Sequence, residues 1–414
     1  MLRLGDCIVP PVTGPAKMNR YYYGLDAVRF LSALVVVVFH IGFSAWAVSD
    51  ATHFGYLPAG TQLTAMTPFA WFGWVGVEVF FVISGFVIAG SANGASPMAF
   101  LRSRAMRLLP AAWVCATVTL GMRLAYGASW TDGLGEEYLA SLVMWPQGPW
   151  IDGVYWSLAV EIVFYALVFV LLLSRSFRRI AVLAWALTLV SSAFIAMYML
   201  ERVELLPDNP VWRAINAQSE LLPLKHGVYF ALGIWIWMLS NRIARPSAWI
   251  GVAMTVAFGV VEIWTRAFEL RHTDAPIAEH QSAFIPILVW LVAVGAIAAF
   301  AFWPNRFSPK SPLAQTALKQ LGKITYPLYL VHAIAGIGFM SWMITVGVAP
   351  YVALVITIIS MIALAAAIAF VAEPFFRGLL GRATKSLAQP SSGGNKLFAG
   401  LFRPTESASP AKAG

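Results

Sequence analysis

Arg29 and His40 stand in a stretch, residues 25–47, that is otherwise almost wholly apolar. They are eleven residues apart. At 100° per residue their side chains fall within about 20° of one helical face, about 16.5 Å apart along the axis. An ionisable side chain inside a membrane helix costs several kcal/mol unless it is paired or hydrated, which makes each one a functional candidate. Singly, either residue fits a plainer role, with Arg29 reaching back to the interface or His40 bridging two helices. Two on one stripe favour a site, and an imidazole there suits general acid–base or nucleophilic chemistry.

Four further features carry chemistry. Glu78 lies in Gly76-Val77-Glu78-Val79-Phe80-Phe81-Val82-Ile83-Ser84-Gly85-Phe86, and Glu161 follows Trp156-Ser157-Leu158. Both fall in the same half of the bilayer as His40, where a carboxylate can orient an imidazole and stabilise its charged form. His332 ends Tyr326-Pro327-Leu328-Tyr329-Leu330-Val331-His332. Tyr329 and His332 are three apart and touch on a helix, so Tyr326, Tyr329 and His332 read as the lining of a substrate channel or as a polar helix contact. Arg104 and Arg107 share one face of a helix start. Paired guanidiniums suit phosphates because they present rigid forks of donors, although positive charge on the inner side of a membrane is also ordinary.

These residues need membrane helices to hold them. The chain has 414 residues, 59% hydrophobic and 11% charged, against about a quarter charged in soluble domains. A hydrocarbon core about 30 Å thick takes roughly 20 helical residues per crossing. Ten apolar runs meet that need: 25–47, 69–91, 107–126, 153–173, 180–200, 224–240, 247–265, 283–303, 324–346 and 350–372. The fold class is therefore all-α and polytopic, with about ten transmembrane helices. The segments are a tail over 1–22, a membrane domain over 23–377, and a Ser-, Gly-, Pro- and Ala-rich tail over 378–414 that reads as disordered.

The connections alternate in charge. One side holds 21 of the 28 Lys and Arg residues, and the other holds most acids, among them Asp132, Glu136, Glu137, Asp152, Glu201, Glu204 and Asp208. Positive residues stay cytoplasmic during insertion, so both termini are expected there. The net charge of +9 thus reports topology, and nucleic acid is not expected as a partner. Cys7 and Cys115 are far apart and suggest neither a disulfide nor a zinc site; no metal is expected. No cleavable signal peptide is expected either, and Met18 would serve as a start as well as Met1.

Taken together, the sequence resembles the acyltransferase-3 family of bacterial membrane O-acyltransferases. The resemblance runs from about Tyr23 to Arg377. It rests on Gly24-Leu25-Asp26-Ala27-Val28-Arg29 with His40, the Gly76–Phe86 stretch, Arg104-x-x-Arg107 before Pro110, Trp156-Ser157-Leu158 with Glu161, Tyr326-x-x-Tyr329-Leu330-x-His332, and Glu373-Pro374. Thr325 stands where the family often has Ser. The resemblance implies an acyl-CoA donor, usually acetyl-CoA, with no permanently bound cofactor. The acceptor it implies is a hydroxyl of a surface or exported glycan, in the bacterial inner membrane, with polysaccharide-assembly proteins as partners. It is similar to the stand-alone type, without a fused esterase-like domain.

On this reading Arg29, Arg104 and Arg107 hold the CoA phosphates. His40 acts as general base or transient acyl carrier, and Glu78 or Glu161 orients it. Two rivals remain. A transporter would also use buried Arg, His and Glu but should show broken helices in paired halves. A glycosyltransferase using lipid-linked sugar would need an acidic cluster after the first span, where Asp50 is the only acid.

Overall fold

A computed structural model describes residues 21–48, 57–202, 205, 209–219, 222–275 and 278–388. The expectations for residues 1–20, Asp50, Glu204, Asp208 and residues 389–414 lie outside these. Among the described residues the secondary structure is helical throughout, with no strand. Eight helices are long and apolar enough to cross a membrane. They are α1 Tyr23–Ala47, α2 Thr64–Ala92, α3 Pro97–Ala125, α4 Tyr155–Leu173, α5 Ile180–Arg202, α7 Ala248–His272, α8 Phe284–Phe302 and α11 Pro350–Arg382. A bent pair, α9 Pro312–Val331 and α10 Ile334–Thr345, makes a ninth. The tenth expected span is α6, Gly227–Ser240, apolar but only 14 residues long, about 21 Å at 1.5 Å per residue.

Helix α6 runs through protein. Every residue from Gly227 to Met238 is buried. It crosses α2 at two glycines: a Cβ on Gly85 would strike the Phe230 carbonyl, and one on Gly233 would strike that of Val82. Small residues let membrane helices approach closely and gain packing where no hydrophobic driving force acts. Gly73 and Gly76 do the same for α2 against α1, where a Cβ would meet the carbonyls of Val35 and Ser32. The glycines of the Gly76–Phe86 stretch therefore set two helix contacts.

Three boundaries differ from expectation. Helix α3 starts ten residues early, at Pro97, where the Ser96 side chain accepts from the Ala99 amide at 3.3 Å. Arg104 and Arg107 thus lie inside the helix rather than at its start. The last helix continues to Ala388, so residues 378–388, expected in the tail, are helical. The ninth span is not continuous over 324–346: the chain turns by 71° between Val331 and Ile334. Asp152 holds the break, its Oδ2 accepting from the Ile334 amide at 3.0 Å and its Oδ1 from the Val154 amide at 3.2 Å. A helix start leaves orphan amides, and a buried carboxylate satisfies one of them here.

Candidate active site

The bend puts His332 beside His40. The His332 Nε2 and His40 Nδ1 atoms are 3.0 Å apart, where the sequence offered His332 as a channel lining or a polar helix contact. His40 itself sits where α1 changes from α to π winding, over His40–Ser44. Such widened turns recur at functional sites because they re-aim side chains.

Geometry assigns the protons of this pair. His332 Nδ1 lies 2.8 Å from the Tyr329 carbonyl and 3.2 Å from that of Leu328. Carbonyls only accept, so this nitrogen carries the hydrogen and Nε2 holds the lone pair. His40 Nδ1, 3.1 Å from the Val36 carbonyl, then donates toward Val36 and His332. The basic nitrogen of His40 is accordingly Nε2. His332 is wholly buried, and both of its nitrogens are held in this one arrangement.

A cavity of about 680 Å³ opens at the end of the bundle that carries Arg107, Lys319, Lys323 and Arg377. Arg29 adds a fifth cation to its wall, against the carboxylates of Asp26 and Glu373. Asp26 lies 3.7 Å from Arg29 and accepts from the Tyr21 hydroxyl at 2.6 Å. Burial and that carboxylate push the Tyr21 phenol well above its usual range, so it stays a donor. Lys319 stands over the rings of Tyr21 and Tyr23, at 4.9 and 5.4 Å, a cation–π arrangement that holds the ammonium at the mouth.

A second, smaller cavity continues inward and shares Arg29, Val87, Arg107 and Tyr326 with the first. Its walls include Arg104, Glu161, Ser157 and Tyr329. Arg104 lies over Phe100 and Tyr165, at 5.7 and 6.0 Å. Tyr326 donates to the Leu108 carbonyl at 3.2 Å, and Tyr329 and Ser157 share a hydrogen bond of 2.5 Å. The Tyr329 ring centre is 5.8 Å from that of His332. Two joined cavities therefore run inward from a five-cation mouth as far as Tyr329, the neighbour of His332.

Both expected carboxylates have other neighbours, and the side chain seen at hydrogen-bond distance from His40 is His332. Glu161 accepts from Ser84 and, at 2.6 Å, from Tyr165, which makes it a wall of the inner cavity. Glu78 is wholly buried in a different cluster with His226 and Glu262, whose ligand-capable atoms all lie within 4.8 Å of one another. Arg266 approaches Glu78 at 3.9 Å, and Lys225 approaches Glu262 at 3.9 Å. Two carboxylates and an imidazole at this spacing resemble a cation site, but two resident cations already oppose the acids. Both Glu78 oxygens lack a hydrogen-bond partner among the described residues. The sequence reading passed over His226, Glu262 and Arg266. The signal was present, since Glu262 and Arg266 sit four apart in an apolar run as conspicuously as Arg29 and His40.

A helical membrane bundle with a basic cavity leading toward paired imidazoles has the parts of an acyl-transfer enzyme, and comparison with known proteins agrees. Residues 22–371 match the family model described as an acyltransferase domain, and the chain belongs to this membrane acyltransferase family. It is 25% identical over 326 residues to a protein named as the membrane-bound transacylase BcsY of Komagataeibacter xylinus, covering 74% of this chain and 71% of that one. It is 26% identical over 335 residues to the acyltransferase MdmB of Streptomyces mycarofaciens, covering 74% and 77%. A shorter match, 32% over 147 residues, joins it to the exopolysaccharide production protein ExoZ of Rhizobium meliloti (strain 1021), covering 33% and 44%. No solved structure matches the chain at comparable stringency. The protein is thus a multi-pass membrane acyltransferase.

Proposed function

We propose that the protein moves an acyl group, acetyl in the first instance, from acyl-CoA at its basic end to a glycan hydroxyl at the opposite end. The basic end faces the cytoplasm of the bacterial inner membrane, and the acceptor is supplied by polysaccharide assembly. The observation that carries this reading is the pair of joined cavities leading from the five cations to Tyr329, which lies beside the His332–His40 pair. Arg107, Lys319, Lys323 and Arg377 take the CoA phosphates at the mouth. Arg29 and Arg104 lie deeper, and the pantetheine arm, roughly half a bilayer long, carries the thioester inward past Tyr326 and Tyr329.

His40 serves as general base. The acceptor O–H gives its proton to Nε2 while the oxygen attacks the thioester carbonyl. The C–S bond breaks, and the proton passes to the departing thiolate. His332 accepts from His40 Nδ1 and stabilises the imidazolium formed in passing. Metal and cofactor have no assigned part.

The test uses the purified full chain in nanodiscs with radiolabelled acetyl-CoA and the surface glycan of the producing strain, stripped of acyl groups by mild base. Label should move to the glycan, and His40→Ala should lower the rate by a factor of about 10² to 10⁴, the usual worth of a positioned base. Near-normal transfer by His40→Ala would sink the mechanism. Label that never leaves CoA would sink the function.

A further inference from the structure

A third cavity, of about 260 Å³, lies on the far side of the histidine pair from the basic mouth. It is built from the interior of α1 and α2, the start of α4, the end of α7 and the residue Lys225 before α6. Its lining is half charged and largely aromatic otherwise: Phe39, Trp74, Trp156, Lys225, Arg266 and Glu269, with Leu270 and Asp274. Phe39 joins it to the chemistry, because the Phe39 and His40 rings are in contact at 5.0 Å. It shares no lining residue with either cavity on the basic side.

We infer that this cavity holds the acceptor, and that the acceptor is an uncharged sugar unit presented by its hydroxyls. The inference rests on the acyl-transfer reading above. Its charge argument is that three wall residues are each backed by an opposite charge. Arg266 lies 3.9 Å from buried Glu78, Lys225 lies 3.9 Å from buried Glu262, and Glu269 lies 2.7 Å from Arg202. Glu269 also accepts from Tyr198 at 2.5 Å. A wall of two cations and two acids, three of them backed by an opposite charge, does not call for a charged ligand. It offers fixed donors and acceptors, which suit the alternating donors and acceptors of adjacent hydroxyls.

The aromatic part agrees. Trp156 is partly exposed, and Trp74 and Trp156 flank the Arg266 guanidinium at 5.0 and 5.9 Å. Those contacts fix the arginine, while Trp156 supplies apolar surface of the kind a sugar's C–H face requires. The volume lies just under the range of about 300–1,000 Å³ for small-molecule sites, so it accommodates a terminal or single residue of a glycan chain. On this view the Glu78–His226–Glu262 cluster is a positioning group. It holds Arg266 and Lys225 from below and touches no reacting atom.

Two measurements on the full chain in nanodiscs test the placement. In the first, a neutral disaccharide bearing a diazirine is photolysed with the protein, and labelled peptides are mapped by mass spectrometry. Label is expected in peptides containing Trp156 and Arg266, competed by the base-stripped glycan and not by glucuronic acid. Label at the basic mouth, label that no glycan displaces, or preferential displacement by glucuronic acid would overturn the proposal. In the second, Trp156→Phe, Arg266→Gln and Arg266→Lys are assayed against both substrates. Arg266→Gln should raise the half-saturating glycan concentration at least tenfold and leave that of acetyl-CoA within twofold, with Arg266→Lys and Trp156→Phe intermediate. A change confined to acetyl-CoA would overturn it as well. Failure of acyl transfer with intact, glycan-competed labelling would instead count against the enzymatic reading alone.

Discussion

His40 is held by a second imidazole where a carboxylate was expected. A neutral imidazole supports its partner's charge less strongly than a carboxylate would, but it needs no counter-ion inside the bilayer. His332→Ala should therefore lower kcat for acyl transfer by about tenfold to a hundredfold, within the span of acid–base effects, and leave KM for acyl-CoA unchanged. His332→Gln, which keeps an acceptor for the His40 N–H, should retain more activity than His332→Ala. Stopped-flow detection of released CoA thiol checks both, and equal loss in the two variants would show that packing, and not the hydrogen bond, is what His332 contributes. Arg29 and His40 were legible in sequence because an apolar run makes any charge conspicuous. The partner of His40 was not. Residue 332 lies 292 positions from residue 40, and no helical periodicity links the two.

Among the elements, spans and connections were legible from apolar length and charge alternation, since both follow from the bilayer. The turn between α9 and α10 was not, because its cause is tertiary. Pro327 weakens the helix, but the direction of the turn depends on Asp152, a loop residue that sequence reading counted only as an outer acid. Likewise the Gly76–Phe86 stretch was legible as a motif but not as a packing device. Gly85→Ala should force α2 from α6 and cost about 1–3 kcal/mol by overpacking. A thermal unfolding scan in detergent should show a lower Tm for Gly85→Ala, whereas Gly295→Ala, where a Cβ meets nothing within 4 Å, should leave it unchanged. An unshifted Tm for Gly85→Ala would mean that the α2–α6 crossing is looser than its glycines imply.

For the whole molecule, charge is sorted by end, and the cavities follow that sorting. The basic mouth should make donor recognition depend on phosphate. The acetyl thioester of N-acetylcysteamine, which has the reactive end of acetyl-CoA without its nucleotide, should show a KM at least a hundredfold higher with kcat less affected. Raised salt should weaken acetyl-CoA and leave the short thioester alone, as screening of exposed charge requires. A similar KM for both donors would remove the mouth from the mechanism. Cysteine substitutions at Lys319 and Asp132 should react with impermeant maleimide from opposite faces of sealed vesicles, Asp132 from outside.

The histidine pair also has an electrical consequence. The inner and far cavities have no wall residue in common; Tyr329 of the first touches wholly buried His332, and nearly buried Phe39 of the second touches His40. On the proposed function the acyl group passes at the histidine pair, and with no wall shared by the two cavities water and ions do not follow it. The protein should thus sit in an energised membrane as an insulator, adding no measurable conductance to a planar bilayer at rest or during turnover.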